Sequence, residues 1–189
     1  MKHQIFKILV SIIFLASLGN AADFLLIGDS MAEAVDKPLE RRFANTGHTY
    51  SSFFKRGTTV DYWVHNPQLY LYVQQRHPDY LLISLGTNDI VAQKSNEKII
   101  SDLRILINAL SENGVNPNTI IIIAPPIPND NNLNEALQLA FGNYVFPSKS
   151  RALELKADHI HPTPASNERW SDELFYYLSP VINAPTVTQ

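Results

Sequence analysis

The chain contains no cysteine. That excludes disulfides, a thiolate nucleophile and cysteine-held metal. It has no cluster of Lys and Arg, and 15 basic against 18 acidic residues give a formal charge of −3. A nucleic-acid-binding surface is therefore not expected. The apolar run from Ile8 to Leu18 is too short for a comfortable membrane span. No internal repeat, low-complexity stretch or linker marks off a second domain. Glycines number only 7, and three of them, Gly28, Gly57 and Gly86, fall in polar turns.

At the amino end, Lys2 and Lys7 flank the start of the apolar run, and Gly19-Asn20-Ala21-Ala22 offers small residues for cleavage. This predicts a secretory signal peptide over residues 1–21, cut after Ala21 or Ala22. The alternative is an uncleaved N-terminal anchor. Removal takes away two lysines and no acids and moves the charge from −3 to −5. The rest, residues 22–189, is expected to be a single domain in a bacterial periplasm or secreted, with no stable membrane span after cleavage. A domain of that size can hold together by packing alone. Its oligomeric state is left open.

The stretch Phe24–Ile27 reads as a buried strand, followed by Gly28-Asp29-Ser30 and a helical spacing from Met31 to Phe43 that Pro38 is expected to break or kink. Further strands are predicted at Tyr50–Phe54, Tyr80–Leu85 and Thr119–Ala124. Helices are predicted at Val60–His65, from Pro67, at Asn96–Asn113, Leu133–Phe141, Ser148–Lys156 and Ala165–Leu178. Alternation of strands and helices predicts an α/β domain, a parallel sheet covered on both faces. A flavodoxin-like strand order 2-1-3-4-5 fits, with strand five somewhere between Asn143 and Leu155.

Four turns would then fall on one sheet edge: Gly28-Asp29-Ser30, Arg56-Gly57-Thr58, Gly86-Thr87-Asn88-Asp89 and Asp158-His159-Ile160-His161. Acyl transfer needs a nucleophile, a base, a group to orient the base, and donors for an oxyanion. Ser30 at a strand-to-helix corner suits the nucleophile, His161 the base, and Asp158 three residues earlier its orienter. The backbone N–H groups of Ser30 and Gly57 and the side-chain amide of Asn88 suit the oxyanion hole. Asp29 and Asp89 read as turn and cap residues, and His48, His65 and His77 as surface histidines. A His159/His161 metal pair lacks converging ligands, so no metal and no cofactor are expected. Thr58, Tyr62 and Trp63 read either as packing or as a wall of the substrate cleft.

These four blocks, in this order and spacing, resemble those of the SGNH (GDSL-type) hydrolases over the whole mature chain. The resemblance implies a three-layer α/β/α fold and ester hydrolysis through an acyl-serine. It implies Ser30, Asp158 and His161 as triad, with Gly57 and Asn88 as oxyanion donors. The second block departs from the family pattern, because Lys55-Arg56-Gly57-Thr58-Thr59 lacks the serine or asparagine common near that glycine. The cluster Tyr62, Trp63, Tyr70 and Tyr72 leans toward an acylated glycan, with O-acetyl groups as the target. The alternatives are a periplasmic acyl thioesterase or lysophospholipase, a glycan O-acetyltransferase, and a catalytically silent glycan-binding module.

Overall fold

The computed structural model describes residues 21–149 and 153–182. Apart from Ala21, the predicted leader lies outside the described residues, as does the tail after Ile182. Five strands, β1 (Asp23–Gly28), β2 (Thr49–Phe54), β3 (Tyr80–Ser84), β4 (Ile120–Ile123) and β5 (Val145–Phe146), form one sheet. All pairings are parallel, in the order β2-β1-β3-β4-β5, which is the expected order. Seven α-helices connect them among the described residues: α1 (Ser30–Phe43), α2 (Val60–Val64), α3 (Pro67–Arg76), α4 (Thr87–Val91), α5 (Asn96–Glu112), α6 (Leu133–Phe141) and α7 (Pro164–Ile182).

The order reverses direction at β1. Right-handed crossovers then place the helix after β1 on one face and those after β2, β3 and β4 on the other. Accordingly α1 packs on α7, while α5 packs on α2 and α6. The central strands are buried on both faces, which is why they read as unbroken apolar runs. Trp63 and Trp170 are the largest fully buried side chains.

Gly28 ends β1 hard against Ser84 of β3. Its φ is +154°, and a Cβ there would lie 2.1 Å from the Ser84 carbonyl oxygen. Only glycine lets β1 and β3 close at the point where the chain turns into α1.

Three details differ from the sequence reading. Pro38 does not break α1. It removes one backbone hydrogen bond, but Val35, Leu39 and Phe43 are buried in the core and hold the helix through it, and Arg42 Nη1 donates to the Pro38 carbonyl at 2.7 Å. No helix forms at the described ends of 148–156. The N–H groups of Ser148 and Lys149 are both taken by Asn134 Oδ1, at 2.9 and 3.1 Å, and Leu155 pairs with Pro162 in an antiparallel bridge. The final helix runs through Pro180 to Ile182.

Candidate active site

Ser30 is the first residue of α1 and stands at the carboxyl edge of the sheet, beside the reversal of strand order. Asp29 caps that helix, with its Oδ1 accepting from Met31 N at 2.8 Å. The N–H of Ser30 has no acceptor among the described residues. It points from a helix N-terminus, where partial positive charge favours an anion.

His161 comes from the loop before α7. The loop folds back on itself: Lys156 N–H donates to the His161 carbonyl at 2.7 Å, His159 N–H to the Lys156 carbonyl at 2.9 Å, and Thr163 N–H to the Glu154 carbonyl at 2.8 Å. His159 turns the corner at φ +56°, an uncommon conformation for a side chain of its kind. This turn aims the imidazole at α1. His161 Nε2 lies 2.8 Å from Ser30 Oγ, and His161 Nδ1 lies 2.8 Å from Asp158 Oδ2. Asp158 Oδ1 accepts from the N–H groups of Ile160 and His161, both at 2.9 Å. Those backbone donors, with the imidazole, hold the Asp158 carboxyl well below the usual carboxylate range. It stays ionised and fixes the imidazole with the proton on Nδ1, leaving Nε2 to accept from the serine.

Gly57 and Asn88 reach the same place from the ends of β2 and β3. Gly57 sits at φ +72° with open space where a Cβ would be, so the turn alone demands glycine. Its N–H is unengaged among the described residues. Asn88 is in α4, a short helix where the sequence suggested only a turn. Its Nδ2 donates to Asp29 Oδ2 at 2.8 Å and to the Thr58 carbonyl at 2.9 Å. The first bond sets the amide's orientation. The second occupies the hydrogen that an oxyanion would take over.

Two acids read from sequence as local caps have longer reach. Asp29 is fully buried. Burial is the largest influence on its carboxyl and raises it from 3.8 to about 7, although the Met31 and Asn88 hydrogen bonds favour the ion. Asp89, also fully buried, accepts from Val60 N–H at 3.0 Å and pairs with Lys94 at 2.8 Å. Asn88 and Asp89 thus tie the third block to the second on both sides of Thr59. Sequence signals for these ties are absent, because the partners lie 29 to 59 positions apart.

A cleft of about 450 Å³ opens over Ser30 and His161, lined also by Glu33, Ala34, Arg56, Gly57, Asn88, Lys156, Pro162 and Asn167. Thr58, Tyr62 and Trp63, read as a possible wall of that cleft, do not line it. Trp63 is 1% exposed, donates from Nε1 to Thr58 Oγ1 at 2.9 Å and meets Phe53 edge-on. Thr58 is buried and donates to the Lys55 carbonyl at 2.7 Å. Tyr62 faces a separate depression with Asp61 and His65, and Lys55 sits over its ring. All three hold the Gly57 turn. Among the described residues no group of three or more His, Asp or Glu is placed to hold a metal ion.

Solved structures share this architecture. That of TesA aligns with a TM-score of 0.67 at 17% identity, covering 84% of this chain and 99% of that one. The psychrotrophic esterase EstA from Pseudoalteromonas sp. aligns at 0.68 and 16%, covering 86% and 100%. A catalytic mutant of Axe2, an acetylxylan esterase from Geobacillus stearothermophilus, aligns at 0.63 and 16%, covering 92% and 99%. The fold is that of the SGNH hydrolases. At these identities the likeness is one of fold. No family model and no curated protein sequence matches the chain. What the SGNH fold explains is the convergence itself: four separate loops on one sheet edge bring Ser30, Gly57, Asn88 and His161 to one cleft.

Proposed function

We propose that this protein is an exported serine esterase that removes short acyl groups, O-acetyl groups on a cell-wall or surface glycan, through an acyl-serine intermediate. The observation that carries the reading is the relay of Ser30, His161 and Asp158, with 2.8 Å at each step, beside two unengaged N–H groups.

In the first half-reaction His161 Nε2 takes the Ser30 proton as Oγ attacks the ester carbonyl carbon. The oxygen gains negative charge next to Ser30 N–H and Gly57 N–H, and Asn88 turns its second hydrogen from Thr58 to it. The carbon–oxygen bond to the alcohol breaks, and His161 gives the proton to the leaving oxygen. Water then attacks the acyl-serine with His161 again as base. The carboxylic acid leaves and Ser30 recovers its proton. Asp158 stays ionised throughout and balances the imidazolium.

The cleft lining supports a short acyl group. Among the described residues that line it only Ala34 and Pro162 are apolar, whereas a fatty acyl chain needs an apolar groove. The acetylxylan esterase and the carbohydrate esterase from Talaromyces cellulolyticus among the structures with the same fold agree with a glycan ester. The predicted leader over residues 1–21 supports export to the periplasm or beyond.

A fluorophosphonate probe tests the nucleophile and is expected to label Ser30. Turnover of p-nitrophenyl esters of increasing chain length tests the acyl pocket and is expected to peak at two carbons. Absence of labelling in folded protein refutes the enzyme, and a peak at eight carbons or longer refutes the short acyl group.

A further inference from the structure

We infer that the ester taken by this cleft is carried on an acidic sugar, whose carboxylate is held by Lys156 and whose hydroxyl or amide hydrogen is taken by Asn167. The inference rests on reading the cleft as an esterase site and adds the class of substrate.

Among the described residues two cations line the cleft, Arg56 and Lys156, and they differ in state. Arg56 is clamped by Glu33, with Nε on Oε2 and Nη2 on Oε1 at 2.7 Å. Its charge is matched within the protein. The Lys156 ammonium has no hydrogen-bond or ion-pair partner among the described residues, although its backbone is fixed by donation to the His161 carbonyl at 2.7 Å. A free cation therefore starts from a point pinned to the strand of loop that carries the base.

Asn167 supplies a second, independent sign. It lines the same cleft and lies in the first turn of α7, its N–H bound to the Thr163 carbonyl at 2.9 Å. Its side-chain oxygen is buried with no hydrogen-bond partner. A buried acceptor without a donor is costly and rare in folded proteins, and in a residue that lines the cleft it meets a ligand's O–H or N–H once the Asn167 side chain turns toward the cleft. An apolar acyl chain could satisfy neither group.

The charge count favours a carboxylate over a phosphate. One unpaired ammonium on a flexible stem matches one negative charge. A nucleotide-type thioester brings several charges and calls for several cations or a nest of backbone N–H groups. The mature chain is itself acidic, at −5 once two lysines of the leader are gone, so it repels polyanions at long range. Recognition through Lys156 must act at contact and appear in KM rather than in salt-steered encounter.

The test compares kcat/KM on three acetyl donors: an O-acetylated oligosaccharide carrying a single uronate, a neutral oligosaccharide of equal acetyl content, and acetyl-coenzyme A, with p-nitrophenyl acetate as reference. Wild type is expected to prefer the acidic glycan about tenfold, the size of one charge-assisted hydrogen bond. Lys156→Gln is expected to collapse that ratio toward one by raising KM on the acidic glycan, Lys156→Glu to invert it, and Lys156→Arg to keep it. Asn167→Leu is expected to raise KM on both glycans. Arg104→Gln, an exposed cation on α5 that lines a different depression, is the control and should change nothing. Thermal melts verify that each variant folds. Equal or better use of the neutral glycan by wild type, or an unchanged preference in folded Lys156→Gln, overturns the inference while leaving the esterase intact. So does a preference for acetyl-coenzyme A, which would place a phosphate on Lys156. Failure of wild type on p-nitrophenyl acetate and on every acetyl donor overturns the esterase reading itself.

Discussion

Replacing Asp29 with asparagine separates two consequences of one buried carboxylate. Burial lifts its carboxyl from 3.8 to about 7, against the pull of hydrogen bonds from Met31 and Asn88 and with a smaller push from Asp89. Between about pH 4 and about pH 7 the folded chain therefore keeps a proton on Asp29 that the unfolded chain has released. The folded state binds more protons, so stability falls as pH rises through that window and levels off above it. At 1.36 kcal/mol for each pKa step, the whole fall is about 4 kcal/mol. An amide cannot ionise, so the fall is absent from the variant. The replacement can still accept from Met31 N–H through its oxygen, but its NH2 then meets Asn88 Nδ2, donor against donor. One amide must turn, at a cost of about 1–3 kcal/mol that does not depend on pH. If Asn88 turns, the Thr58 carbonyl loses its donor and the oxyanion loses the side-chain N–H.

Two readouts follow from that geometry. Urea unfolding of both proteins at steps from pH 4 to pH 8 is expected to move the stability difference by about 4 kcal/mol in the variant's favour as pH rises. Turnover of p-nitrophenyl acetate by the variant is expected to fall about 10²–10³-fold, the usual loss for one oxyanion donor. A stability difference that stays level across pH refutes the raised carboxyl. Unchanged kcat in a folded variant refutes the claim that Asp29 orients Asn88.

Asn88→Ala removes the same donor directly and should cost about 10²–10³ in kcat, with a lowered melting temperature because Asp29 Oδ2 and the Thr58 carbonyl lose their donor; full activity in the folded variant would remove Asn88 from the oxyanion hole. Asp158→Asn keeps the acceptor for the Ile160 and His161 N–H groups but turns an NH2 toward His161 Nδ1, which forces the wrong tautomer; kcat should fall about 10⁴-fold. Since the Asp158 carboxyl is held below its usual range, it stays ionised as pH falls through the assay window, and the acid limb of the wild-type rate profile belongs to other groups. Gly28→Ala drives a Cβ to 2.1 Å from the Ser84 carbonyl oxygen and should destabilise the fold by at least about 3 kcal/mol in urea unfolding. Trp63→Phe loses the bond to Thr58 Oγ1, worth about 0.5–1.5 kcal/mol because that hydroxyl keeps its own bond to the Lys55 carbonyl, and should show as a lowered midpoint in urea unfolding.

How far the molecule can be read from its sequence depends on whether a feature is local. Ile120–Ile123 announces itself because a strand buried on both faces must be apolar at every position. Val145–Phe146 does not, because two residues carry no period. The groups proposed to react are legible for a related reason: a nucleophile, a base and its carboxylate must be of particular types at strand ends, and Asp158 and His161 share one turn. Aromatic residues beside the second block were ambiguous, since Trp63 in the core and a ring lining a sugar cleft look alike in sequence. Its indole N–H on Thr58, five positions back, decides the matter and is visible only in three dimensions. Lys156 carries no sequence signal of its own; the loop's return to His161 puts it at the cleft.

Asp29 is the most instructive of these. One oxygen performs the local task a helix cap suggests, on Met31 two residues away. The other reaches Asn88 across 59 positions and, through it, Thr58 and the Gly57 turn. A cap needs only a short polar side chain, and serine or asparagine would serve as well. Holding an amide by its N–H needs an acceptor on the second arm too, which serine lacks and asparagine offers only by giving up the first. The carboxylate at position 29 is therefore required by the distant bond and not by the near one, and the cost of burying it is the stability the fold gives up to keep the proposed oxyanion donor in place.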